Sequence, residues 1–90
     1  MTLQQIRYCL TIAQTGSMNR AAEQLYVTQP ALTGAIQELE QEVGVTIFNR
    51  TNRGVTLTND GRRFLHYARQ VYQQYELMEQ EYLRPKKRIF

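Results

Sequence analysis

One stretch decides the fold of this chain, residues 28–44, with the sequence TQPALTGAIQELEQEVG. Thr28 is a favourable N-cap, because its side-chain oxygen can accept a hydrogen bond from a backbone N–H in the first helical turn. Pro30 falls within that turn, where its missing N–H costs no helical hydrogen bond. Gly44 stands where a left-handed C-terminal cap is favoured. The stretch therefore predicts a helix of about four turns that ends at Val43.

This helix has two unlike faces. Apolar side chains recur at steps of four, three and four and form a stripe for a core; they are Leu32, Ile36, Leu39 and Val43. The other face carries neutral hydrogen-bonding or small residues, namely Gln29, Thr33 and Gln37 with Pro30 and Gly34 beside them. Gln can pair with both groups on an adenine edge, and Thr can hydrogen-bond a base or place its methyl group against thymine. Taken alone, this face fits either base reading or an uncharged solvated surface.

Two helices precede this one and a hairpin follows it. Residues 2–14 predict the first helix, with an apolar stripe of Leu3, Ile6, Leu10 and Ala13. Ser17 caps the second helix, and the link of residues 26–28 has the length of a helix-turn-helix. Residues 47–50 and 55–57 predict two short strands around a turn bordered by Arg50 and Arg53. The predicted fold is mainly α, a winged helix-turn-helix of three helices plus a two-stranded wing.

A long fourth helix is predicted from its cap, Thr58, to about residue 84, because Pro85 biases the residue before it away from helix. Along it, apolar and aromatic side chains recur at heptad spacing; they are Phe64, Ala68, Val71, Tyr75, Met78 and Tyr82. A domain this small cannot bury so long a stripe. We therefore expect these residues to pair with a second copy of the chain, in an orientation that the pattern leaves open.

Composition excludes several classes of protein. Ninety residues make one small domain, and a single cysteine rules out an internal disulfide and fits a reducing compartment. No apolar run is long enough for a membrane span and no secretory signal opens the chain, so a cytoplasmic protein is expected. No nucleophile–base pair or metal-ligand cluster stands out, so we predict no catalytic residue, no metal and no enzyme.

The net charge of +3 is compatible with nucleic acid but does not decide the matter. Residues 1–63 hold six arginines against five acidic residues. The positions of these charges, not their total, must therefore decide whether the surface favours nucleic acid. Three of the acids, Glu38, Glu40 and Glu42, crowd the end of the third helix. That placement suits a helix whose N-terminal end enters a groove while its acidic end points away.

Several of these motifs, in this order, resemble the LysR-type transcriptional regulators. The resemblance is carried by SMNRAAEQL at residues 17–25, VTQPALT at 27–33, LEQEVGV at 39–45, FNR at 48–50 and LTNDG at 57–61, and it covers nearly the whole chain without a gap. The family pattern usually has a basic residue where this chain has Gly34, and often another at Gln37. The resemblance implies a bacterial transcription regulator that binds a partly palindromic double-stranded DNA site.

In such a protein, the recognition helix is expected to lie in the major groove and the wing on the minor groove or the DNA backbone. The base-reading or groove-lining candidates are Gln29, Pro30, Thr33 and Gln37, with Thr28 as cap and phosphate contact. The backbone or minor-groove candidates are Arg20, Arg50 and Arg53. The alternative is a winged-helix protein-interaction module that dimerises through its long helix. Binding to DNA that weakens steeply with salt distinguishes the two.

These expectations divide the chain into residues 1–58 as the DNA-binding domain, 59–84 as a linker and dimerisation helix, and 85–90 as a hinge toward an effector-binding domain that the chain lacks. The resemblance further implies antiparallel pairing of the linker helices, a tetramer for the full-length protein and a nucleoid-associated location. It implies no cofactor in this stretch, and a small-molecule co-inducer for the missing C-terminal domain.

Overall fold

The computed structural model describes residues 1–83 and confirms the predicted fold class. The elements, in chain order, are α1 (Leu3–Thr15), α2 (Met18–Leu25), α3 (Gln29–Val43), β1 (Phe48–Thr51), β2 (Gly54–Leu57) and α4 (Asn59–Tyr82). The two strands are antiparallel, and their register runs from Phe48 opposite Leu57 to Thr51 opposite Gly54, which leaves a two-residue turn. The predicted hinge at 85–90 and the possible helix end at Arg84 lie outside the described residues.

Local capping explains where the helices begin. The side-chain oxygens of Thr28, Ser17 and Thr58 each accept a hydrogen bond from the backbone N–H three residues later, at 3.2, 3.2 and 2.8 Å. α1 starts with a reciprocal pair between Thr2 and Gln5, a capping box. Gly44 ends α3 in the left-handed conformation, with φ at +79°. All four N-caps are thus supplied by Thr or Ser.

The core lies between α1, α2, α3, the start of β1 and the first half of α4. Its most deeply buried side chains are Ile12, Leu32, Leu39, Ile47, Leu65 and Cys9. The α3 stripe is confirmed, with Val43 only half-buried. The α1 stripe is partly wrong, because Leu3 is exposed and Ile12, outside the stripe, is fully buried. α1 contacts α2, α3, α4 and β2, so its buried face is wider than one stripe and is centred elsewhere.

Two close backbone approaches fix the wing against the helices. Val55 N donates to the Gly16 carbonyl, and Thr58 N donates to the Ile47 carbonyl, both at 3.0 Å. A Cβ at Gly54 would overlap the Gly16 oxygen, and a Cβ at Gly61 would overlap the Ile47 oxygen. Glycine is therefore required at both positions by space, and Gly54 additionally has φ at +134°. The wing is held at one end by the C-terminus of α1 and at the other by the start of α4.

α4 begins on the body and then leaves it. Its 24 residues span about 36 Å, and Gly61, Leu65 and Ala68 in the first half are buried. In the second half, Val71, Met78 and Tyr82 are 48%, 55% and 78% exposed. Within residues 1–83, no helix combines the length and apolar content needed to cross a bilayer.

Candidate nucleic-acid interface

The polar face of α3 is open to solvent, as the sequence predicted. Gln29, Pro30, Gly34 and Gln37 are exposed, and Thr33 is half-buried. Nothing lies within 4 Å of the position that a Cβ on Gly34 would occupy. Packing therefore does not explain the glycine at this position, and a longer side chain would fit.

A surface groove of about 230 Å³ lies where the N-terminal ends of α2 and α3 meet the wing. The positive ends of two helix dipoles thus border one site, and backbone N–H groups at such ends favour anions. The guanidinium of Arg50 adds a full positive charge. The lining residues are Ser17, Met18, Asn19, Gln29, Arg50, Thr51, Asn52, Gly54 and Val55.

Arg50 is anchored on the recognition helix. Its Nη2 donates a hydrogen bond to Thr33 Oγ1 at 2.8 Å, across 17 positions of sequence. The structure therefore brings three of the predicted residues together, since Gln29 lines the same groove as Arg50. Gln37 lies two turns further along α3, where it borders a second groove with Glu40, Gln41, Gly44, Val45 and Thr46.

The other two predicted arginines are placed differently from Arg50. Arg20 is exposed in the first turn of α2, where its backbone N–H donates to the Ser17 cap. Arg53 is exposed at the turn of the wing, where its backbone N–H donates to Thr51 Oγ1 at 3.1 Å. Neither lines the groove, so of the three predicted arginines only Arg50 lines it.

Sequence reasoning missed two amide side chains that line the groove, Asn19 and Asn52. Asn19 follows the Ser17 cap by two positions, which was a signal that it opens α2. Its proximity to the wing, however, depends on how α2 packs against the rest of the domain. Asn52 was visible as a turn residue, but the spacing of the hairpin alone did not indicate which surface the turn would border.

Glu40 is a third missed residue. Its Oε2 accepts from the backbone N–H groups of Ile47 and Phe48, at 2.7 and 3.3 Å. This carboxylate therefore fixes the start of β1, and with it the wing, whereas the sequence suggested only an acidic helix end. Glu42 does lie on the surface, where it pairs with the α-amino group of Met1 at 2.6 Å.

Tyr26 closes the turn between α2 and α3 in an unexpected conformation. Its φ is +58°, the left-handed region, and among the described residues it is the only non-glycine with positive φ. The ring is 94% exposed, so side-chain packing does not hold the residue there. Backbone hydrogen bonds do, since Val27 N donates to the Ala22 carbonyl at 3.1 Å. The length of the link predicted the turn but not this conformation.

The cysteine has no part in the interface. Burial first, and then the negative charge of Glu40, raise the pKa of the Cys9 thiol to about 12. The thiol is therefore a small core group. Among residues 1–83, no three side chains of His, Cys, Asp or Glu are arranged to hold a metal ion.

The predicted dimer stripe is divided between covered and open positions. Ala68 is buried and Phe64 is half-buried against the body. Tyr75 is half-buried along α4, where a hydrogen bond with Glu79, together with the negative charge of that carboxylate, raises its pKa. Val71, Met78 and Tyr82 remain open.

Comparison with known proteins shows the family. The profile described as "Bacterial regulatory helix-turn-helix protein, lysR family" matches residues 3–62. The HTH-type transcriptional regulator ClcR of Pseudomonas putida is 45% identical over 71 residues, which cover 79% of this chain and 24% of that protein. The RuBisCO operon transcriptional regulator of Allochromatium vinosum is 38% identical over 80 residues, 89% of this chain and 26% of that protein. This chain thus spans about a quarter of the length of these relatives.

Solved structures agree in fold over most of the chain. The DNA-binding domain of CbnR in complex with DNA has a TM-score of 0.83 at 34% identity, covering 90% of this chain and 93% of that one. The DNA-binding domain of BenM with benA site 1 DNA has a TM-score of 0.84 at 32% identity, covering 90% and 94%. These relatives are transcription regulators, not enzymes. The chain belongs to the lysR family of bacterial regulatory helix-turn-helix proteins, and it forms the winged helix-turn-helix DNA-binding domain of that family together with its long linker helix.

Proposed function

We propose that this chain reads a specific double-stranded DNA sequence, with α3 in the major groove and the wing on the minor groove or backbone. The observation that carries the proposal is the groove where two helix N-termini and Arg50 meet beside the uncharged face of α3. Phosphate oxygens suit such a groove, because both helix ends and the guanidinium favour negative charge. A duplex held there would bring its base edges against α3.

We assign the contacts with bases to the exposed face of α3. Gln29, Pro30, Thr33 and Gln37 are our groove-lining candidates, and their polar groups can donate to or accept from base edges. Thr28, at the N-terminus of α3, offers a cap and a backbone amide to phosphate. Arg20 on α2 and Arg53 at the turn of the wing are exposed and are our candidates for the flanking backbone. Their positions on separate elements support contacts at more than one point along the duplex.

We further propose that the chain forms a homodimer through α4. The open side chains Val71, Met78 and Tyr82 present an apolar strip that the monomer does not cover. Charge supports an antiparallel pairing. Residues 59–70 hold three arginines and one aspartate, whereas residues 71–82 hold three glutamates and no basic residue. Antiparallel helices would bring each basic half opposite the partner's acidic half.

Selection of bound sites from a random duplex pool tests the DNA proposal. We expect enrichment of a two-fold-related motif, with an affinity that falls steeply as salt rises, because each phosphate contact releases about 0.9 counterion. Gln29→Ala should cost about 1–3 kcal/mol on the selected site and relax the preference at one base pair. Gln41→Ala is the matched control, since Gln41 is exposed on the last turns of the same helix.

The outcomes of the selection distinguish sequence-specific DNA binding, non-specific DNA binding and protein interaction. Salt-sensitive binding without enrichment would leave a DNA-binding protein whose specificity requires a larger assembly. No duplex binding at low salt by the folded protein would refute the proposal in favour of a protein-interaction module. Equal losses on selected and random duplexes for Gln29→Ala would remove that residue from the reading face.

Sedimentation equilibrium tests the dimer. Met78→Lys should weaken association at least about 10-fold, because it places a charge in the apolar strip. Gln73→Lys adds the same charge outside the predicted stripe and should leave association nearly unchanged. Unaltered association of Met78→Lys would show that another surface pairs the chains.

For the longer protein suggested by the relatives, the proposals rest on family resemblance alone. They are a small-molecule co-inducer bound by a C-terminal effector domain, assembly into tetramers and a cytoplasmic, nucleoid-associated location. Comparing the DNA affinity of that longer protein with and without candidate co-inducers would test the first of them.

A further inference from the structure

The contact between Arg50 and Thr33 gives the wing a part in base reading. We propose that Arg50 is a positioning residue, which turns the Thr33 hydroxyl so that its proton is available to a hydrogen-bond acceptor on a base. This inference rests on the proposed DNA-binding function and deepens it. It also separates Arg50 from Arg53, although both arginines belong to the wing.

The direction of the hydrogen bond follows from chemistry. A guanidinium has donors and no acceptor, so Thr33 Oγ1 must accept from Arg50 Nη2, and the distance of 2.8 Å is typical of a charge-assisted bond. A hydroxyl that accepts keeps its own O–H for another partner. Donation from a cation also polarises the hydroxyl and strengthens the bond that its proton makes next.

Two other threonines in helices of this chain show what Thr33 would do without Arg50. Thr11 Oγ1 donates to the Arg7 carbonyl at 2.9 Å, and Thr15 Oγ1 donates to the Thr11 carbonyl at 3.0 Å. Such back-bonding to the residue four positions earlier uses the hydroxyl proton within the helix. Among residues 1–83, the hydrogen-bond partner of Thr33 Oγ1 is Arg50 and not the carbonyl of Gln29. Arg50 thus turns the hydroxyl toward the wing, away from its own helix.

In the complex with DNA, the Thr33 hydroxyl would therefore act as a hydrogen-bond donor to a base. The free proton selects acceptors in the major groove, namely purine N7, guanine O6 and thymine O4. It does not pair with the amino groups of adenine or cytosine, which are donors. Arg50 would therefore influence the base preference opposite Thr33 without touching that base.

Site selection with four variants tests this inference, using the 90-residue protein and a random duplex pool. Thr33→Val removes the hydroxyl and keeps the shape. Arg50→Lys keeps the charge and removes the planar fork that anchors on Thr33. We expect each to reduce the preference at the same single base pair about 10-fold, and the double variant to be no worse than Thr33→Val. Thr33→Ser should retain the preference, because serine keeps the hydroxyl.

Arg7→Lys is the control, because Arg7 is exposed on α1 and lies outside the proposed interface, and it should leave that base preference in place. The salt dependence of Arg50→Lys should match that of the unaltered protein, because the charge remains. Thermal unfolding of each variant shows that the domain is folded. This inference alone would be overturned if the unaltered protein enriches a site and Arg50→Lys keeps the same base preference. It would also be overturned if the losses of preference caused by Arg50→Lys and by Thr33→Val multiply in the double variant. No enrichment by the unaltered protein would overturn the proposed function and this inference together.

Discussion

The two halves of α4 share one helix and one heptad pattern, yet they have different surroundings. In residues 59–70, Leu65 and Ala68 are buried because α1 lies against them. In residues 71–82, three of the four side chains that continue the pattern, Val71, Met78 and Tyr82, are open, and Tyr75 is half-buried. Spacing along the sequence thus predicts which residues share a face, and the tertiary partner decides whether that face is covered. The body completes its core with one half of α4 and leaves the apolar side chains of the other half exposed.

The largest effect should come from shortening one leucine in each half. Leu65 is 0% exposed and Leu77 is 51% exposed. Leu65→Ala should lower the free energy of unfolding by about 2–5 kcal/mol, because it leaves a cavity in the core. Leu77→Ala should lower it by less than about 1 kcal/mol, because the side chain is already half in water. Urea unfolding at one fixed protein concentration measures both.

A concentration dependence of the Leu77→Ala effect would place Leu77 in an interface between copies. Similar losses for the two variants at all concentrations would contradict the division of α4 into a covered and an open half.

Two glutamates of α3 differ in the groups that they hold. Glu40 accepts two backbone hydrogen bonds at the start of β1, whereas Glu42 holds the exposed amino terminus. Glu40→Ala should cost about 1.5–3 kcal/mol, because two N–H groups at the start of the wing lose a charged acceptor. Glu42→Ala should cost under about 1 kcal/mol, as exposed ion pairs do. Denaturant unfolding of the two variants checks the order, and equal costs would refute the role assigned to Glu40.

The smallest effect should come from two glycines that both have room for a Cβ. Gly34 lies within α3, so Gly34→Ala should stabilise the protein by about 0.5–1 kcal/mol. Gly44 has φ at +79°, so Gly44→Ala should destabilise it by about 1 kcal/mol. The melting temperatures should therefore move in opposite directions. Stabilisation by both variants would show that the end of α3 adopts another conformation.

Local features were predicted well because their causes are local. Caps such as Thr28 and Thr58 and the stripe on α3 depend on residues within a turn or two. The features that were missed depend on long-range contacts. The burial of Ile12 requires several neighbours of α1, Glu40 acts seven and eight residues away, and Arg50 reaches Thr33 across 17 positions. The left-handed turn at Tyr26 was missed because an aromatic residue gives little local signal for it.

The buried thiol of Cys9 is a chemical probe of how often this domain opens. Because its pKa is raised to about 12, thiol reagents should label it only when the domain opens, so the labelling rate reports the population of the open state. The raised pKa means that the fold binds this proton more tightly. Stability should therefore be unaffected below the ordinary value of 9.0 and should fall as the pH rises from there toward 12. A duplex that binds only the closed state would slow the labelling in proportion to its occupancy, so one thiol would report DNA affinity without any label on the DNA.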